Sequence, residues 1–200
     1  MIDNDTRELL VRLAGRYETP CFIEGDPSWW MHQVQGPRNQ EATAFVASAL
    51  SYGSRVQFMP RIGQLLEWAG GDMDLWLRSA AYRSHFAEGG KTCFYRLYNE
   101  GAMRAFLDAF RAMLVECGSM GEWLSCESHG GNGLRVVECI CRWFALHGAG
   151  GVVPKDTASA CKRLCMFLRW MVRDGSPVDL GLWADMVDKR SLVRPMDTHV

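Results

Sequence analysis

Ser159-Ala-Cys-Lys-Arg-Leu-Cys-Met-Phe-Leu-Arg-Trp-Met-Val-Arg173 decides how the chain folds. Leu164, Phe167, Leu168 and Met171 recur at the spacing of one helical face. Lys162, Met166, Arg169 and Arg173 fall at i, i+4, i+7 and i+11, a second narrow sector of the same wheel, and three of the four are cationic. Pro154, with Asp156 or Thr157, supplies start signals for this helix. An amphipathic helix needs other elements against which to bury its apolar stripe, and the remaining chain offers more helices.

The spacing predicts a first helix over Thr6 to Arg16, capped by Asn4 or Asp5, with Leu9, Leu10 and Leu13 on one face. Residues 17 to 38 contain Pro20, Pro27 and Pro37 and read as extended or looped, with Trp29 and Trp30 packing against the domain or facing a ligand. From Asn39 or Gln40 to Tyr52 the chain is apolar almost all round, which places this helix in the middle of a bundle. It breaks at Tyr52-Gly-Ser54. Ser54 can cap a helix running to Trp68, which Pro60 should bend or start later. A short helix follows over Asp72 to Ala81, then an irregular aromatic stretch from 82 to 98. Further helical patterns run through Met103 to Leu114, Glu122 to Glu127 and Leu134 to Ala145. No strand pattern competes, so the expected fold is all-α: an irregular multi-helix bundle forming one domain over 1–200.

Two hundred residues suffice for a substantial core. The net charge of -1 confines any nucleic-acid surface to a local patch. No apolar run reaches the length of a membrane span, and the polar N-terminus lacks the apolar centre of a secretory signal, so a cytoplasmic protein with no membrane partner is expected. The eight cysteines then read as thiols. Cys139 and Cys141 fall on nearly opposite helix faces, while Cys161 and Cys165 share an apolar stripe with Leu168 and Val172. With no Cys-x-x-Cys pair, the expectation is core packing and no metal.

The chemistry-bearing residues are Lys162 and Asp197, the latter in Pro195-Met-Asp-Thr-His199. A lysine amine becomes a nucleophile when burial and neighbouring cations favour its neutral form. An ionised aspartate can stabilise the positive charge that develops as a glycosidic bond breaks. Flanking arginines can hold the phosphates on either side of an everted nucleotide. On spacing alone, the Lys162, Arg169 and Arg173 face reads first as a solvated charged surface, with Asp197 as a helix cap.

Ala160-Cys-Lys-Arg-Leu164 and Pro195-Met-Asp-Thr-His-Val200 resemble the lysine and Val-Asp-Thr-His segments of the helix-hairpin-helix DNA glycosylase superfamily. The long separation of the two residues is most similar to the archaeal 8-oxoguanine glycosylase branch. The closest likeness is to a bacterial family of hypothetical proteins. Its Lys-Arg-Leu-x-Met-Phe-Leu-Arg-Trp-Met-Val-Arg, Val-Asp-Leu-Gly-Leu-Trp and Pro-x-Asp-Thr-His-Val segments stand here at 162–173, 178–183 and 195–200. The resemblance implies a glycosylase-like fold, with Lys162 as Schiff-base lysine and Asp197 as catalytic aspartate. Ser51-Tyr-Gly-Ser-Arg55 is similar to the helix-end turn pushed towards DNA. Arg55, Arg163, Arg169 and Arg173 are the DNA-binding candidates, and Asp179 and Trp183 are candidates for the base pocket.

The implied activity is base-excision N-glycosylase chemistry, with associated lyase activity, on a damaged purine in double-stranded DNA, carried out by a monomer. A non-catalytic DNA-binding module on the same fold is the alternative, and a purely structural helical bundle a third reading. The Gly-x-Gly hairpin is replaced by Asp156-Thr-Ala-Ser-Ala160, and the four-cysteine iron–sulfur cluster of endonuclease III has no counterpart, so no cofactor is implied. Superfamily members continue into further helices beyond the aspartate. The chain ending at Val200 therefore reads as C-terminally truncated.

Overall fold

The structure, a computed structural model, describes residues 3–126 and 131–195. In chain order its α-helices are α1 (Asn4–Tyr17), α2 (Pro20–Ile23), α3 (Trp29–His32), α4 (Pro37–Leu50), α5 (Arg55–Trp68) and α6 (Met73–Arg78). They are followed by α7 (Glu100–Cys117), α8 (Met120–Cys126), α9 (Gly133–Leu146) and α10 (Lys162–Val172). Two 3-10 turns, Ala81–Ser84 and Lys189–Ser191, and a two-stranded hairpin, β1 (Cys93–Tyr95) with β2 (Tyr98–Asn99), complete it.

The helix that is apolar all round is the axis of the fold. Pro37 occupies the first turn of α4, where its missing N–H would have had no partner in the helix. Every side chain from Glu41 to Leu50 is buried, and α3, α5, α6 and α10 pack around it. Phe45 sits at the centre, with Phe106, Phe110, Phe144 and Phe167 from α7, α9 and α10 at ring-centroid distances of 5.8, 4.8, 5.2 and 5.1 Å. Each such ring contributes about 1.5–3 kcal/mol by leaving water. Truncating Phe45 would open a cavity at the meeting point of four helices.

Several expectations change locally. The stretch 17–38 is not simply looped: α2 and α3 are single turns set between its prolines. Pro60 neither breaks α5 nor delays its start. It lies on the exposed side of the helix together with Val56, the residue whose carbonyl loses its donor. The irregular 82–98 stretch holds the hairpin, although no alternation in the sequence announces it. α10 begins at Lys162 rather than near Asp156, because Asp156 Oδ1 accepts from Ala158 N at 3.0 Å and Ser159 Oγ from Cys161 N at 3.4 Å, closing local turns. Finally, the Leu9, Leu10, Leu13 face of α1 is not buried; Leu9 and Leu10 are exposed and α1 contributes nothing to the core.

Among the described residues, no helix is long and apolar enough to cross a membrane, and no three metal-ligating side chains cluster. The described residues are thus mostly helical, with one short hairpin and an isolated bridge between Gly131 and Val187.

Candidate functional site

The site candidates gather around the two ends of α10. At its start, Cys161 adopts a left-handed backbone (φ 45°), so the chain turns sharply into the helix and the first helical residue, Lys162, lies on the surface. Arg163 points the other way. It donates to Ala49 O, to Tyr98 Oη at 2.7 Å and to Val152 O at 3.0 Å. Its guanidinium also lies 5.8 Å from the Tyr52 ring centroid. Arg163, a DNA-binding candidate in the sequence, is therefore turned into the protein, where it ties the end of α4, the hairpin and the loop after α9 to the start of α10. The helix-end turn Ser51–Arg55 and the Lys162 segment, far apart in sequence, are brought side by side through it.

A cavity of about 250 Å³ lies beside this helix start, lined by Gly133, Leu134 and Val137 of α9, by Thr157 and Ser159–Cys161, and by Val193 and Pro195. Asp197 lies outside the described residues, as does His199. The chain leading to them reaches the same cavity wall as the residue before Lys162. Cys141 stands behind Cys161 with its Sγ at 3.9 Å, and burial pushes the Cys141 thiol up. The described cysteines form no disulfide, and Cys139, Cys141 and Cys161 are core residues as expected, while Cys165 is half-buried on the cavity wall.

At the far end of α10 the chain folds back. Gly175 and Gly181 both have positive φ, and a side chain at Gly181 would press on the Arg173 carbonyl at 3.2 Å. This return lays 178–183 along the helix: Leu180 N donates to Trp170 O and Trp183 N to Met171 O, both at 2.7 Å. Asp179 is carried beneath Arg169 and Arg173, its side chain fully enclosed, with Oδ2 3.4 Å from Arg169 Nε and 3.4 Å from Arg173 Nη1. Neither carboxylate oxygen makes a hydrogen bond. Burial pushes the Asp179 carboxyl up, while Arg169 and Arg173 pull it back. Arg173 is also paired with Glu18. Two guanidinia thus face two carboxylates, so the cationic sector read from the helical wheel is largely neutralised from below. His32 Nε2 fixes the neighbouring carbonyl of Val178 at 3.0 Å.

Trp183, the second base-pocket candidate, is buried edge-on against Phe167 at 5.2 Å. Its Nε1 donates to Glu41 Oε1 at 2.9 Å. Glu41, which the sequence reading passed over, accepts also from Met120 N at 2.8 Å and Gly121 N at 3.0 Å. It thereby joins α4, the first turn of α8 and the return segment. The pair borders a second cavity of about 440 Å³, with Arg38, Ser119 and Leu182 on its wall. Arg55 is exposed and pairs with the buried Asp26 at 3.3 Å. Also missed was the hairpin turn, where Arg96 stacks on Tyr52 at 5.0 Å. A glutamate inside an apolar helix was the available signal for the first. For the second there was none beyond an arginine among tyrosines.

Residues 26–200 match a family described as "Protein of unknown function (DUF2400)", and the chain belongs to it. No curated protein and no solved structure matches the chain. The family match opens on Asp26, the partner of Arg55, and leaves α1 outside.

Proposed function

We propose that this protein is a DNA base-excision N-glycosylase, with associated lyase chemistry, acting on a damaged and flipped purine such as 8-oxoguanine in double-stranded DNA. Lys162 is the nucleophile. The lone pair of its Nζ bonds to the anomeric carbon as the base leaves with the electrons of the glycosidic bond, and opening of the sugar ring leaves an imine on Nζ. Asp197 stabilises the positive charge on the sugar during that exchange. Arg55, Arg169 and Arg173 take the flanking phosphates through their exposed edges, Arg163 holds the frame, and Asp179 and Trp183 brace the far end of α10 from beneath.

One juxtaposition carries the reading: Pro195, two residues before Asp197, lines the same cavity as Ser159–Cys161, the residues that precede Lys162. The resemblance of both segments to the glycosylase superfamily supports the same pairing. Borohydride reduction in the presence of a duplex containing 8-oxoguanine or an abasic site tests it. Wild type should give a covalent protein–DNA band and Lys162→Gln none. Equal trapping by the variant removes Lys162 from the mechanism.

The exposed position of Lys162 favours a second reading, a non-catalytic DNA-binding module in which this amine meets a phosphate. Salt-dependent duplex binding without base release would select it.

A further inference from the structure

The hairpin turn is built in an unexpected way. Tyr95 pairs with Tyr98, so Arg96 and Leu97 form a two-residue loop. Two-residue loops favour glycine or asparagine wherever φ is positive, yet Arg96 has φ 51°. Leu97, at the tip, is 78% exposed, and Val56 beside the neighbouring turn is 84% exposed. An arginine in the left-handed region carries strain, and such strain accumulates where function requires it.

The arginine is also held in place. Its guanidinium covers the face of Tyr52 at 5.0 Å, and Nη1 donates to Gln57 Oε1 at 3.3 Å. Arg163 approaches the same ring at 5.8 Å, and Tyr95 Oη donates to the Tyr52 carbonyl. Gly53 has no side chain where a Cβ would meet Arg96 Nη1 at 2.6 Å. Arg55, 62% exposed at its side chain, stands two residues along, with Asp26 as its counter-charge. The result is a ridge that presents guanidinium groups and apolar tips together. Because Arg163 belongs to the first turn of α10 and donates to Tyr98 Oη, the ridge is tied to the helix start that carries Lys162.

We propose that the Arg96–Leu97 turn is a second DNA-contacting element, in which Arg96 takes a backbone phosphate and Leu97 enters the base stack beside an everted nucleotide. Positive charge suits the phosphates, and an apolar wedge suits an unstacked step. The assignment rests on the DNA reading of the Lys162 site and goes beyond it by naming a contact outside that site.

The test uses the full chain and a fluorescein-labelled duplex carrying a tetrahydrofuran abasic-site analogue, with 2-aminopurine next to it. Wild type should bind with salt-dependent affinity and raise the 2-aminopurine signal as the base unstacks. Arg96→Gly relaxes the turn but deletes the Tyr52 and Gln57 contacts, two opposed effects that should leave the melting temperature close to that of wild type. Its binding should weaken about eightfold at roughly 0.1 M salt, with the salt slope reduced by about 0.9, the loss of one phosphate contact. Arg96→Lys should recover most of the slope. Leu97→Ser should keep the wild-type slope and lose the 2-aminopurine rise. If Arg96→Gly and Leu97→Ser both match wild type, the hairpin assignment falls while the DNA reading stands. If wild type binds no duplex at low salt, both fall.

Discussion

Replacing Glu41 should release three parts of the structure at once. The carboxylate is buried and accepts two backbone N–H groups from the first turn of α8 and the indole N–H of Trp183, at 2.8, 3.0 and 2.9 Å. Glu41→Ala leaves all three donors without an acceptor. At about 1–3 kcal/mol for each buried orphan, and with water able to enter from the adjoining cavity, the expected loss is about 3–5 kcal/mol. That is a large part of a total near 5–15 kcal/mol. Glu41→Gln keeps one acceptor oxygen but turns an amide towards a second donor, so its cost should be roughly half. Urea unfolding followed by tryptophan fluorescence measures both. Burial, opposed by these hydrogen bonds, pushes the Glu41 carboxyl above its ordinary value of 4.5. The stabilisation linked to its proton is complete below that value and is lost as pH rises through the folded-state pKa, so the gap between wild type and Glu41→Gln should narrow over that window. A loss below about 1 kcal/mol for Glu41→Ala, or equal losses for the two variants, would refute the reasoning.

Three other substitutions probe separate contacts. Gly133→Ala puts a Cβ 2.9 Å from the Ser191 carbonyl and 3.2 Å from Leu168 Cδ2, so it should cost about 1–3 kcal/mol in thermal melting; an unchanged melting temperature would mean that the Lys189–Ser191 turn gives way freely. Asp108 accepts from Tyr82 Oη at 2.5 Å, Arg83 at 2.8 Å and Arg104 at 2.7 Å. Burial pushes its carboxyl up, but these donors outweigh it and hold it below 3.8, while the Tyr82 hydroxyl is pushed up to about 12, by burial first and by Asp108 second. Asp108→Asn should therefore cost about 1–2 kcal/mol at neutral pH and progressively less as acid protonates the wild-type group, measured as melting temperature against pH. Asp179 shifts in the opposite direction: burial raises it above 3.8, so its proton-linked stabilisation is lost as pH rises. Asp179→Asn should gain on wild type across that rise, and a constant difference between the two would show that the carboxyl does not titrate there.

The helices that make the core were legible because their burial follows from period and composition. α4 is apolar on every side and is enclosed on every side; α7 and α10 bury the stripes that the spacing marked, and α9 buries Val137, Cys141 and Phe144 of its stripe but leaves Leu134 exposed. What was not legible depends on contacts between segments remote in sequence. Arg163 looks like its charged neighbours on a helical wheel, and only the approach of Ala49, Tyr98 and Val152 turns it inward. Asp179 carries no local sign that the chain will fold it beneath two arginines. The left-handed residues Cys161 and Arg96 escape a propensity reading because neither is glycine or asparagine. The amphipathic pattern of α1 was present, but a pattern does not supply the surface that would cover it.

That uncovered helix has an effect on charge. α1 has no buried side chain, and 14 residues alone are marginal as a helix in water. The Tyr17–Phe22 ring contact and the Glu18–Arg173 pair hold its C-terminal end against the rest. It therefore belongs to the low end of local opening free energies and exchanges its amide hydrogens ahead of the core. When that end opens, Glu18 leaves with it, and Arg173 retains Asp179 as the carboxylate still paired with it. A fluctuation at the N-terminus thus alters how much positive potential the end of α10 presents to solvent.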